Sequence, residues 1–142
     1  MFTIELFLWL HVILATFWVG GMLFLSLVVV PYIRNKPFKN EAYEEVGKRF
    51  SLYGTMITLA LLFITGSVVA HLLHGGFTTR TLKEKLFLFF VIVAISLLHD
   101  LWAGKKAFHS EKHRKIARWL GILNLVLSLL IVHLGVRIRL GL

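Results

Sequence analysis

The 142-residue chain is 58% hydrophobic and only 16% charged, with a mean hydropathy of +0.81, a balance that excludes an ordinary water-soluble domain. Sixteen Lys and Arg against seven Asp and Glu give a formal charge of +9, which in a soluble protein would point to nucleic acid. The absence of cysteine excludes disulfides, thiolate zinc sites, iron–sulfur clusters and covalently attached haem, so a metal or cofactor has to be held by His, Met, Lys, carboxylates or backbone.

About 20 residues of helix cross roughly 30 Å of hydrocarbon. Four apolar runs meet that length in chain order: Leu6 to Val30, Phe50 to Leu73, Leu86 to about Gly104, and Trp119 to Val136. The third is interrupted near its end by His99 and Asp100. Residues Met1 to Glu5 lack the basic flank of a cleaved signal peptide, so the first span is expected to be retained. Pro31 and Pro37 predict a helix stop and an irregular turn after the first span, with a short surface helix over Lys39 to Arg49 leading into the second. Gly75–Gly76 predicts a turn after the second. The expectation is an all-α integral membrane protein: a single four-span domain over residues 1–142, folded as a four-transmembrane-helix bundle.

The first and third connections share one side of such a bundle and hold eleven Lys and Arg, from Arg34 to Arg49 and from Lys105 to Arg118, against five on the other side. The positive-inside rule then puts both termini outside, periplasmic in a bacterial inner (plasma) membrane. Orientation and anionic headgroups account for the basic loops, so no nucleic acid is expected as a partner.

Ionisable groups inside hydrocarbon are costly and usually mark function. His11, His71, His99 and His133 all fall inside or at the edge of spans. At about 1.5 Å per residue, His11, His71 and His133 lie at a similar outer level, whereas His99 lies near the inner end of the third span. Facing imidazoles in a membrane bundle are a usual way to hold a non-covalent b-type haem. Trp18 follows His11 by seven residues on one stripe, and Gly20–Gly21 remove bulk where a flat ring or a neighbouring helix would approach. His71, His74 and His133 also stand where interfacial side chains snorkel, and His99 adjoins Asp100, a local hydrogen-bond partner. His109 and His113 share a face of the third connection and would hold a divalent metal weakly. Lys85, Phe89, Ile92, Ser96 and His99 form one stripe of the third span, turning Lys85 toward whatever His99 faces. Thr65 and Gly66, with Gly121, Asn124 and Ser128, read as close-packing and interhelical hydrogen-bonding positions.

The segment Leu10–His11 through Trp18–Val19–Gly20–Gly21 to Pro31, followed by Lys48–Arg49–Phe50–Ser51, Thr65–Gly66, Lys85–Leu86 and Arg118–Trp119–Leu120–Gly121, resembles the membrane domain of the copper resistance protein D family. More distantly it is similar to the HemJ-type protoporphyrinogen oxidases, four-span haem b proteins whose His, Trp and Lys positions fall here at His11, Trp18 and Lys85. The resemblance implies a haem or metal site near His11 and adds Lys85 to the candidate ligands.

The leading functional expectation is a b-type haem protein that passes electrons between quinone and an outer-side partner. His11 is one axial ligand, and the second comes from His71, His133 or, by resemblance, Lys85; a second haem at His99 would need another ligand at that depth, for which Met56 is the neutral candidate. The alternatives are copper transport or resistance, porphyrin oxidation as a membrane oxidoreductase, and an accessory subunit of a larger membrane complex. Soft Cu(I) prefers thiolate and thioether, and this chain offers only Met1, Met22 and Met56. Expected partners are the lipid bilayer, a quinone, the outer-side redox partner or larger complex, and a second copy of the chain as a homo-oligomer.

Overall fold

The computed structural model describes residues 1–107 and 109–142, and every described element is helical. Four helices are long and apolar enough to cross a membrane: α1 Phe2–Ile33, α2 Lys39–His74, α3 Arg80–Lys106 and α4 Glu111–Arg139. Large apolar side chains such as Phe17, Leu27, Phe63, Phe87, Phe90 and Leu130 lie exposed along them. Outward-facing apolar side chains of this kind fit hydrocarbon as the surrounding solvent.

Helix boundaries follow local chemistry. Thr79 caps α3, its hydroxyl accepting from the Leu82 N–H at 3.3 Å, and Ser110 caps α4 by accepting from the His113 N–H at 3.4 Å, the usual role of short hydroxyl side chains at a helix start. Gly75 and Gly76 end α2 at φ of 67° and 107°, a left-handed region that glycine enters without penalty. The helix over Lys39–Arg49 lies where the sequence predicts a surface helix, and it runs without a break into the second span.

Pro31 does not stop the first helix, contrary to the sequence expectation, since α1 continues to Ile33. The turn Leu25–Val29 is π-helical, and the Val30 N–H bonds to the Leu25 carbonyl. One extra residue in the turn before the proline shifts the carbonyls its ring would otherwise strike. Two more π-helical segments, Phe50–Ile57 and His99–Ala103, lie in α2 and α3.

The chain divides into two compact units, Met1–Val69 and Ala70–Leu142. In the first, Trp18, Val19 and Met22 of α1 are buried, as are Leu59 and Leu62 of α2 together with Thr55, Thr58 and Thr65. The Phe50 ring fills a notch left by glycines, because a Cβ on Gly21 or Gly54 would come within 2.8 Å or 2.5 Å of it. In the second unit α3 and α4 run antiparallel, with Ile92, Ala103 and Ser128 fully buried and Ser96 2% exposed.

Candidate functional site

In the first unit the site is built around His11 of α1. Its Nδ1 lies 2.9 Å from the Thr65 hydroxyl of α2, and Thr65 is 5% exposed. The Thr65 hydroxyl proton is already committed, donated to the Leu61 carbonyl at 2.8 Å. Thr65 therefore accepts from His11, which puts a proton on Nδ1. Gly66, next along α2, gives the imidazole its space: a Cβ there would lie 3.0 Å from Cε1. A hydroxyl that orients a histidine through one ring nitrogen is the support that ligating histidines use.

Trp18 lies one heptad further along α1. It is 2% exposed, and its Nε1 has no hydrogen-bond partner among the described residues. Gly21 accommodates the Phe50 ring of α2, while no described residue lies within 4 Å of a Cβ on Gly20.

In the second unit polar side chains form a seam between α3 and α4. The Lys85 ammonium lies 3.3 Å from where a Gly135 Cβ would stand, and the His99 ring lies 3.9 Å from that of Gly121. Between them Asn124 Nδ2 donates to Ser96 Oγ at 2.9 Å, and Ser128 Oγ donates to the Asn124 carbonyl at 2.6 Å. Each step along α3 from Lys85 to Ser96 to His99 is matched by an equal step back along α4 from Gly135 to Asn124 to Gly121, as a regular antiparallel pair requires. His99 Nδ1 also lies 2.7 Å from Asp100 Oδ1, the local partner the sequence suggests.

The remaining candidates of the second unit lie outside this seam. His71 is exposed and meets Phe77 edge-on, with ring centroids 6.0 Å apart, and His133 is exposed on α4. His113 packs edge-on against Trp102, at 5.1 Å between ring centroids. Among the described residues no three His, Cys, Asp or Glu side chains converge as a metal-ion cage. The sequence marks His11, Lys85, His99 and Asn124, but not which glycine faces which ionisable group. That pairing depends on the register between helices, which no single-helix periodicity carries.

No solved structure matches the chain. An uncharacterized protein of Aquifex aeolicus (strain VF5) is 69% identical over 142 residues, covering 99% of each chain. The family model described as Domain of unknown function (DUF4149) matches residues 13–116. These findings overturn the resemblance to the copper resistance protein D family and the HemJ-type oxidases. The physical reason is visible in the residues that carried it: Gly21 and Phe50 of that pattern pack against each other, a use of small and aromatic residues open to any closely packed apolar helix pair. On the match over residues 13–116, the chain belongs to the DUF4149 family.

Proposed function

We propose that this chain is an integral plasma-membrane protein that holds one b-type haem through His11 and passes electrons between a quinone and a redox partner on the side away from the basic connections. The observation that carries the reading is the chain of bonds from His11 Nδ1 to Thr65 to the Leu61 carbonyl. It orients the imidazole inside an apolar helix pair, and a neutral ring so held would ligate through Nε2. The haem itself would supply a one-electron couple, tuned by that ligand and by the low polarity around it.

Haem fits this donor set better than a bare ion. Porphyrin contributes four nitrogens, so one or two protein ligands suffice, whereas structural and catalytic ions need three or more. Copper would need a cage of the kind that the described residues do not form. His11 bears the assignment because Lys85 and His99 are engaged in the α3–α4 seam, and His71 and His133 are exposed.

The test is an absorption spectrum of the detergent-purified protein, oxidised and then dithionite-reduced, with a pyridine haemochrome assay. Sharp reduced α and Soret bands at one haem per chain are expected. A colourless protein, after expression with haem supplied, would refute the reading.

A further inference from the structure

Asn124 stands near the middle of α4 and is 8% exposed, yet its Oδ1 has no donor among the described residues. Turning the amide over would give Ser96 the oxygen and leave the nitrogen unmatched, so one end of the group lacks a protein partner either way. A bare amide end buried in hydrocarbon costs about 1–3 kcal/mol, and an apolar residue of similar size would avoid that cost.

The polar groups around it are not scattered. Ser96, His99 and Asp100 follow one another along one side of α3, while Gly121 and Asn124 oppose them on α4. The series is least buried at His99, whose side chain is 37% exposed against 12% for the neighbouring Asp100 side chain and 2% for Ser96, and one turn beyond His99 Ala103 is fully buried. In the other direction it stops at Ile92, which is completely buried. The Lys85 ammonium, beside Gly135, lies beyond that plug, about 10 Å further along α3 at 1.5 Å per residue.

We infer that the half of the α3–α4 seam nearest the basic connection is a water-bearing access path, entered at His99 and Asp100 and ending at a water hydrogen-bonded to the open end of the Asn124 amide. What it admits is water, and the protons water carries, to the middle of the membrane. The path belongs wholly to the second unit and does not depend on haem at His11.

The native chain has no cysteine, so single cysteines report on the path directly. A cysteine thiolate attacks a methanethiosulfonate reagent and displaces sulfinate, and a thiol ionises only where water reaches it. With the protein in lipid vesicles, Ser96→Cys and Gly121→Cys should react at least about 10-fold faster than Phe90→Cys on the exposed apolar face, or Ile92→Cys at the plug. Adding Asn124→Leu should slow both reactive positions. Reaction of Ser96→Cys and Gly121→Cys no faster than Phe90→Cys would overturn the path. Reaction of Ile92→Cys as fast as Ser96→Cys would overturn its end point. Two reporters on opposite helices keep the test decisive if one variant fails to insert.

Discussion

In residues Met1–Val69 one imidazole is set against a glycine and tied to one hydroxyl, whereas in residues Ala70–Leu142 polar side chains are strung along a whole helix pair. Both units make room for an ionisable side chain by placing glycine opposite it: Gly66 for His11, Gly135 for Lys85 and Gly121 for His99. They differ in what is left unmatched. The first unit orients a ring nitrogen of defined protonation, the arrangement of a ligand. The second buries an amide with one end open, the arrangement of a water site. Polar groups in hydrocarbon are retained at a cost, and the two patterns of cost point to two different uses.

The sharpest way to break the comparison is mechanical. Phe50 is clamped between Gly21 and Gly54, with a Cβ on Gly54 only 2.5 Å from the ring. A rigid ring held on both sides has nowhere to retreat, so Gly54→Ala should destabilise the protein by about 1–3 kcal/mol, read as a lower melting temperature in detergent. The Lys85 ammonium is the far end of a flexible side chain, so Gly135→Ala should cost less than about 1 kcal/mol. Equal losses at the two glycines would show that both notches are merely packing.

Thr65→Val keeps the shape of the first site and removes its acceptor. Haem affinity should fall about 10- to 100-fold, the usual effect of losing a group that orients a ligand, and Thr65→Ser should restore it. Unchanged affinity in Thr65→Val would mean that Thr65 only packs.

The second unit should answer in the opposite sense. Interhelical hydrogen bonds in membranes average about 0.6 kcal/mol, so losing the Asn124–Ser96 bond costs little, while an apolar Leu spares the desolvation of the amide. Asn124→Leu should therefore leave the melting temperature unchanged or raise it, even as it closes the path to water. The smallest effect belongs to the exposed pair Lys48–Glu44, 2.8 Å apart on α2. Lys48→Ala should produce no measurable change in melting temperature, because exposed pairs of this kind are screened by water and salt.

The spans were legible because uncharged stretches of sufficient length have few alternative readings, and the buried stripe of α3 through Ile92 and Ser96 follows simple helical spacing. His11 was legible for the same reason: an imidazole stands out inside apolar sequence. The π-helical turns were not. An added residue in a turn leaves no mark on residue type, and at Pro31 it inverted the meaning of the strongest local stop signal. Thr65 was visible as a hydrogen-bonding residue, but its pairing with His11 requires the register of α1 against α2. The family resemblance failed at a related point, since His, Trp and paired glycines recur wherever apolar helices pack closely.

The haem-to-protein ratio of the purified wild-type chain set beside that of His11→Ala tests the central claim most directly. One imidazole adds little to insertion, so the variant should reach the membrane and purify as the wild type does. The wild type should carry one b-type haem per chain and the variant none. Full haem occupancy in His11→Ala would contradict the account.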